Sequence, residues 1–119
     1  MSTTPPRADF CIEYIEFKAA DIPGNKRFYT AAFGWKFEDW GPDYSSFQQG
    51  AVGGGMTTET PTTTGAPLII MYAANLEQAQ RRVEQAGGTV VKSVFSFPGG
   101  RRFHFTDPAG NELAIWSDK

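Results

Sequence analysis

The chain contains one structural plan twice, and this internal repeat constrains its fold more than any other feature. Each copy starts with an apolar strand, continues through a capped helix and ends in three short strands. The segment Ala-Ala-Asp-Ile at 19–22 corresponds to Ala-Ala-Asn-Leu at 73–76. The spacing from helix cap to closing glycine is also similar, Asp21 to Gly34 and Asn75 to Gly87. Such a repeat indicates a duplicated β-α-β-β-β unit and an α+β fold.

The first module is predicted over about residues 10–58. Residues 10–18 (FCIEYIEFK) alternate roughly between apolar and polar side chains, as a strand does, and Cys11 is interpreted as a small core residue. Asp21 is a suitable N-cap and Gly34 a suitable helix end. Further strands are predicted over residues 35–40, 44–48 and 53–58.

A linker over residues 59–66 (ETPTTTGA) separates this module from the second, predicted over residues 67–117. Asn75 and Gln78 have the spacing of a helix capping box. Strands are predicted over residues 67–72, 89–95, 101–106 and 111–117, the last two forming a hairpin around residues 107–110. Residues 1–9 read as a flexible tail, so residues 10–119 form a single domain.

Composition excludes several classes of partner. The net charge is −2 and the pI is about 5.3, which predicts no binding to nucleic acid or to anionic membranes. A single cysteine permits no disulfide within the chain. Residues 1–8 have no apolar core of a signal peptide, and no apolar run reaches spanning length, so a cytoplasmic location is expected.

Three segments carry a family resemblance. They are AADIPGNKRFYTAAFGWKF, ANLEQAQRRVEQAGG and FTDPAGNELAIW. Over residues 10–117 the chain resembles the vicinal oxygen chelate superfamily, which includes glyoxalase I, bleomycin resistance proteins and extradiol dioxygenases. The resemblance implies the glyoxalase/bleomycin resistance/dihydroxybiphenyl dioxygenase fold, in which two βαβββ modules form an eight-stranded, mixed, cupped sheet. It also implies a homodimer with a small-molecule ligand.

The resemblance implies positions for metal ligands, and these positions hold unsuitable residues. Three of them fall on Tyr14, Leu68 and Ala114, and the fourth lies within residues 53–57, where there is no His or Glu. Leucine and alanine cannot ligate a divalent ion, and a useful site needs three or four nitrogen or oxygen ligands. We therefore predict no metal site and no cofactor, with a divalent metal as the less favoured alternative.

Strand parity predicts which side chains line the cup. Leu113, Ile115, Phe103 and Phe105 are apolar and should face the helices, so the residues between them should face the cup. The predicted cup residues with aromatic or polar side chains are Tyr14, Glu16, Arg102, His104, Glu112 and Trp116. Aromatic walls with a few polar groups are typical of small-molecule sites.

Each polar cup residue has a functional and a structural interpretation. His104 and Glu16 are the candidate catalytic residues, because either could carry protons. Alternatively, His104 satisfies one hydrogen bond on a half-buried strand, and Glu16 and Glu112 are solvated. Arg102 could hold a carboxylate or phosphate, whereas Arg101 should point outward. The candidate ligand-binding residues are Tyr14, Arg102, Glu112 and Trp116.

Three functions fit these observations. The leading hypothesis is a metal-independent protein that binds a small organic molecule in the aromatic cup. The second is a glyoxalase-like lyase or isomerase, or a dioxygenase-related enzyme, which uses a divalent metal or metal-free acid–base chemistry by His104 and Glu16. The third is an interaction module with a degenerate cup. Residues 50–55 (GAVGGG) lack the ending of a phosphate-binding loop and more readily permit close backbone approach within a sheet.

Overall fold

The computed structural model describes residues 8–62, 65 and 67–119, without the side chain of Gln49. In chain order the elements are β1 (Ile12–Lys18), α1 (Ile22–Phe33), β2 (Glu38–Asp39), β3 (Tyr44–Gln49), β4 (Val52–Thr57), β5 (Leu68–Tyr72), α2 (Leu76–Gln85), β6 (Thr89–Phe97), β7 (Gly100–Thr106) and β8 (Glu112–Ser117). The predicted α+β class and the repeated β-α-β-β-β order are therefore confirmed. None of the described helices is long and apolar enough to span a membrane.

The chain divides into two compact units. The first unit is Glu13–Ile70, and the second consists of Met71–Lys119 with the described part of Met1–Ile12. The predicted module boundaries stay a prediction. Residues 1–7 of the predicted tail and residues 63, 64 and 66 of the predicted linker lie outside the described residues.

Both predicted helix caps are confirmed. The Asp21 carboxylate accepts a hydrogen bond from the Gly24 N–H at 3.0 Å, and the Asn75 side-chain oxygen accepts one from the Gln78 N–H at 3.0 Å. Gly34 ends α1 with a φ of 74°, a left-handed conformation that a side chain would disfavour. These local bonds satisfy amide groups that have no partner within the helix, so the helix starts could be predicted from sequence.

In the first unit the hydrogen-bonded order is β2-β3-β4-β1, with β1 parallel to β4 and the other pairs antiparallel. The buried residues Ala19, Ile22 and Met56 form its core together with partly buried Phe17, Phe37 and Phe47. The predicted strand over residues 35–40 is wrong except for β2. Trp35 instead stacks on Tyr29 with a ring separation of 4.7 Å, and its N–H donates to the Tyr29 carbonyl at the end of α1.

In the second unit β8, β7 and β6 pair in that order as antiparallel strands, and the end of β5 lies next to β8. The predicted helix-facing side chains Phe103, Phe105 and Ile115 are buried with Leu76 and Ala79 of α2, and Leu113 packs against this cluster. Their parity is therefore confirmed, and it directs the alternate residues of β7 and β8 to the opposite face.

The prediction that Cys11 is a core residue is wrong, because its side chain is exposed. Cys11 precedes the first residue of β1. Its backbone carbonyl accepts a hydrogen bond from the Tyr72 N–H at 3.3 Å. The residue therefore contributes backbone pairing and no buried side chain, a distinction that composition alone does not reveal.

Candidate functional site

One face of the second unit collects most of the predicted site residues. Arg102 lies opposite Trp116, and His104 lies opposite Ala114, in the pairing of β7 with β8. Lys92 and Phe95 of β6 lie opposite His104 and Arg102 on the other side of β7. We call this surface the β6–β8 face; its residues are Lys92, Phe95, Phe97, Arg102, His104, Glu112, Ala114 and Trp116.

A buried histidine–carboxylate pair occupies this face. The His104 Nδ1 atom lies 2.9 Å from Glu112 Oε2, and the two side chains are 0% and 1% exposed. The alternative of a solvated Glu112 is therefore wrong, because folding brings the carboxylate against the imidazole. An ionised carboxylate only accepts hydrogen bonds, so in the neutral imidazole the proton resides on Nδ1 and Nε2 carries a lone pair.

The environment keeps His104 uncharged near neutral pH. Burial lowers the pKa of His104, and the positive charges of Arg102 and Lys92 lower it further, against the opposing effect of the hydrogen bond to Glu112. The Nε2 atom is buried and has no hydrogen-bond partner among the residues that the structure describes. The second unit therefore holds one buried imidazole lone pair whose orientation is set by Glu112.

A lowered histidine pKa predicts a specific pH dependence. Below pH 6.5 the unfolded chain binds a proton at this residue while folded His104 stays neutral, so the free energy of unfolding should decrease as pH falls through that window. Comparison with His104→Gln in urea titrations from about pH 7.5 to about pH 5.5 isolates this contribution. The chain has a single histidine, so its NMR titration is unambiguous. A midpoint at or above 6.5 would contradict the assignment.

Aromatic rings and a guanidinium occupy the rest of the face. The Arg102 Cζ atom lies 5.4 Å from the Phe95 ring centre and 5.6 Å from that of Phe97. The Phe97 and Trp116 ring centres are 6.2 Å apart. Cation–π contacts therefore hold the Arg102 guanidinium against the aromatic side chains of this face. Arg101 points outward, as predicted, and the structure shows that it pairs with Glu77 at the surface.

The first unit holds a separate polar cluster. Tyr14 Oη lies 2.7 Å from Tyr44 Oη, and Tyr44 Oη donates to Glu16 Oε2 at 2.7 Å. Glu16 is 5% exposed, so the interpretation of a solvated Glu16 is wrong. Burial is the largest cause that raises the pKa of Tyr44, and the Glu16 charge adds to it, which keeps the phenol protonated.

Tyr44 was not predicted as a member of this polar cluster, although the sequence contains a feature that indicates its contact. Gly53 and Gly55 lie on the same face of β4, with Gly54 between them, and a side chain at Gly55 would collide with the Tyr44 hydroxyl. A Cβ atom at Gly55 would also lie only 2.7 Å from the Tyr14 hydroxyl. The absence of a side chain at Gly55 therefore provides room for the two tyrosines to meet. The close backbone approach predicted within residues 50–55 is confirmed at Gly54, where an added Cβ would lie 2.7 Å from the Ile15 carbonyl oxygen.

Replacing Gly55 with alanine should destabilise the protein by about 1–3 kcal/mol, because the new methyl group overlaps the paired tyrosines. Gly53→Ala is the matched control. Its methyl group would lie 3.0 Å from the flexible end of Gln48 and 3.4 Å from the Tyr14 ring. Chemical denaturation of both variants tests the difference. Equal stability of the two variants would refute the steric argument, and Tyr44→Phe should partly restore the Gly55→Ala variant.

The described residues do not fit a metal site of the type implied by the resemblance. Leu68 and Ala114 are completely buried and offer no donor atom, and the Tyr14 hydroxyl is bonded to Tyr44. Among residues 8–62, 65 and 67–119, no three His, Cys, Asp or Glu side chains lie close enough to hold an ion. The predicted absence of a metal and of a cofactor stays a prediction.

The predicted site residues thus form two groups. Arg102, His104, Glu112 and Trp116 share the β6–β8 face of the second unit. Tyr14 and Glu16 lie in the first unit, where Tyr44 links them. The catalytic and ligand-binding roles assigned to these residues stay predictions.

Solved structures share this fold at low sequence identity. A glyoxalase/bleomycin resistance protein/dioxygenase superfamily member from Vibrio splendidus 12B01 gives a TM-score of 0.67 at 14% identity, covering 87% of this chain and 96% of that one. NAD-dependent benzaldehyde dehydrogenase from Legionella pneumophila gives 0.73 at 13%, covering 89% and 98%. The Mn(II)-bound glyoxalase from Novosphingobium aromaticivorans gives 0.64 at 23%, covering 90% of this chain and 38% of that one.

These similarities define a protein with the glyoxalase-type fold. The sequence profile of the Glyoxalase/Bleomycin resistance protein/Dioxygenase superfamily matches residues 12–115, and the chain belongs to that superfamily. Comparison with curated proteins gives no match. The family and fold expected from the sequence motifs are therefore confirmed, while one fold of this kind hosts many functions.

Proposed function

We propose that this protein binds a small organic molecule on the β6–β8 face, in contact with His104, Arg102 and Trp116. The observation that carries the proposal is the His104 Nε2 atom, which is buried without a hydrogen-bond partner among the described residues. Buried polar atoms in proteins are nearly always hydrogen-bonded. A ligand with an O–H or N–H group would supply the missing donor.

The composition of the face supports this function. Phe95, Phe97 and Trp116 provide apolar surface, and Arg102 and His104 provide two polar groups at defined positions. Small-molecule sites commonly combine an aromatic lining with a few oriented polar groups. Glu112 fixes the imidazole, so the acceptor atom is oriented before a ligand arrives and binding requires little reordering.

The single histidine makes a direct test possible. A library of small organic molecules is screened by thermal shift and native mass spectrometry, and each hit is added to ¹⁵N-labelled protein. A ligand at the proposed site should change the Nε2 chemical shift of His104, and His104→Gln should weaken its binding. Hits that leave the Nε2 resonance unchanged, or a complete absence of hits, would reject the proposal.

A second candidate function is acid–base catalysis, favoured by the same histidine–carboxylate bond. A neutral imidazole held by a carboxylate through Nδ1 is suited to remove a proton with Nε2. In this alternative the protein is a glyoxalase-related lyase or isomerase, or a dioxygenase-related enzyme. Glu16, the other residue predicted to carry protons, belongs to this alternative as a prediction from the sequence.

Two measurements separate catalysis from simple binding. Ligands found in the screen are incubated with the protein and analysed for chemical change, which His104→Gln should abolish if the histidine is catalytic. Elemental analysis of the purified protein tests for bound metal. A stoichiometric divalent metal that is lost in His104→Gln would favour a metal-dependent enzyme and contradict the metal-free proposal.

The expected homodimer and the cytoplasmic location belong to the same proposal. The family resemblance motivates the dimer, and the composition of the chain motivates the location. Sedimentation analysis at several protein concentrations measures the oligomeric state directly. A monomer throughout the concentration range would reject the dimer without affecting ligand binding on the β6–β8 face.

A further inference from the structure

We propose that the second unit holds a second ligand site, a cavity between α2 and the sheet that binds a small aliphatic carboxylate. The cavity has a volume of about 330 Å³. It is lined by residues of the core that packs against α2, and this core lies on the side of the sheet opposite to His104. This helix-side cavity is therefore a different site from the β6–β8 face.

Apolar side chains form most of the wall of the helix-side cavity. They include Phe10, Met71, Ala79, Val83, Phe105 and Ile115. Phe105 and Ile115 are buried, whereas Met71 and Val83 are only half-buried, so apolar surface remains uncovered within a concave site. A ligand that covers such surface is stabilised by the hydrophobic effect. The volume has room for roughly ten water-sized groups, which is the size of an acid with eight carbon atoms.

Arg82 adds a cation to this lining. Its Cζ atom lies 4.7 Å from the centre of the Phe10 ring. The Arg82 side chain is exposed, and none of the described Asp or Glu side chains forms an ion pair with it. A cation–π contact with Phe10 leaves the N–H donors of the guanidinium to other partners. A carboxylate fits this group because it can accept two parallel hydrogen bonds from a guanidinium.

Asp107 is the other charged residue of the lining, and its oxygens already accept hydrogen bonds. Its Oδ1 atom accepts from the N–H groups of Ala109 and Asn111 at 3.0 and 2.9 Å. Its Oδ2 atom accepts from the side-chain amide of Asn111 at 2.9 Å. Both Asp107 oxygens therefore stabilise the turn between β7 and β8, whereas the Arg82 guanidinium keeps its donors for a ligand. The lining favours an anionic head group, placed at Arg82, over a cationic one.

Phe10 reaches this cavity through an unfavourable backbone conformation. Its φ is 66°, in the left-handed region that residues other than glycine rarely adopt. Hydrogen bonds on either side of Phe10 hold it there. The Phe10 N–H donates to the Tyr72 carbonyl at 2.7 Å, and the Asp9 carboxylate accepts from the Ala74 N–H at 2.9 Å. Strained residues of this kind cluster at ligand sites, and here the strain accompanies a ring that lines the cavity and contacts Arg82.

Three eight-carbon probes with different head groups test the proposal by calorimetry and NMR. They are octanoate, octanamide and octylamine. We expect octanoate to bind about fivefold more tightly than octanamide, which is the upper end for an exposed ion pair, and octylamine to bind more weakly still. Octanoate should shift the methyl resonance of Met71, one of three methionines, and leave the Nε2 resonance of His104 unchanged. No saturable binding of octanoate, or tighter binding of octylamine, would overturn the proposal.

Arg82→Gln is compared with Arg81→Gln, which removes the same charge from the neighbouring exposed residue of α2, outside the cavity lining. Arg82→Gln should reduce the affinity for octanoate about fivefold and leave octanamide unaffected, whereas Arg81→Gln should change neither. Phe10→Ala should weaken the binding of both probes, because it removes part of the apolar wall. Equal effects of the two arginine variants would overturn the proposal, since a general attraction to α2 would explain them.

The Met71 and His104 resonances distinguish the helix-side cavity from the proposed function. Octanoate that shifts His104 and leaves Met71 unchanged would lie on the β6–β8 face, which would overturn the helix-side site and support the proposed function. Octanoate that shifts Met71 in a protein whose library screen gives no His104 ligand would support the helix-side site and reject the proposed function.

Discussion

Replacing Phe103 with alanine is expected to lower the free energy of unfolding by about 3–5 kcal/mol. The Phe103 ring is completely buried in the core of the second unit, where it packs with Leu76 and Ala79 of α2. Its ring centre lies 6.1 Å from that of Phe105. Truncation removes this apolar contact and leaves a cavity that rigid strand neighbours cannot fill.

Phe33→Ala is the matched control, because Phe33 is 64% exposed at the end of α1. Its truncation should change stability by less than about 1 kcal/mol. Urea unfolding is followed by far-ultraviolet circular dichroism and by tryptophan fluorescence, and coincident transitions validate a two-state analysis. Similar losses in the two variants would show that the core of the second unit is not organised around Phe103.

Replacing Glu112 with alanine should destabilise the protein by about 1–3 kcal/mol merely because the buried imidazole N–H group loses its hydrogen-bond acceptor. The His104 Nδ1–H group is buried and loses its acceptor at 2.9 Å, and loss of the buried side chain adds a cavity. Glu112→Gln retains a carbonyl acceptor of the same shape and should recover most of this loss. Both substitutions remove the negative charge of Glu112, so both should lower the pKa of His104 further.

Equilibrium unfolding and the histidine NMR titration measure the two effects separately. Glu84→Ala on the exposed surface of α2 controls for the loss of one carboxylate and should leave stability nearly unchanged. A double-mutant cycle with His104→Phe and Glu112→Leu gives the coupling energy between the two side chains. A coupling energy near zero, together with an unchanged His104 titration, would mean that the pair does not form in solution.

The secondary structure could be predicted where the signals are local. Helix ends are one example: the Asp21 and Asn75 caps and the glycine at the end of α1 each act within a few residues. Their effects do not depend on parts of the chain that are distant in sequence. The predicted strand over residues 35–40 was wrong for the opposite reason. Tryptophan has a high strand propensity, but the Trp35 backbone completes the end of α1 and its ring packs between Tyr29 and Phe47. Tertiary packing therefore overrode its propensity.

The candidate site was predicted in part by strand parity. Alternation placed Arg102 and His104 on the face opposite Phe103 correctly, because successive side chains of a strand point to opposite sides. Parity does not reveal burial or partners, so Glu112 could be interpreted as solvated. Tyr44 was missed for a related reason. Its contact with Glu16 depends on the pairing of β3, β4 and β1 and on the absence of a side chain at Gly55.

The duplicated β-α-β-β-β plan, the helix caps and the superfamily could be predicted from the sequence alone, since they depend on local periodicity and on short motifs. Two contacts became visible only in the folded chain: His104 bonds Glu112 across the last hairpin, and Tyr44 joins Tyr14 to Glu16. Hydrogen bonds between strands are set by register and burial, which the whole sheet fixes together. The sequence gives the chemical type of each side chain, but its protonation and its partners depend on the residues that surround it in the folded protein.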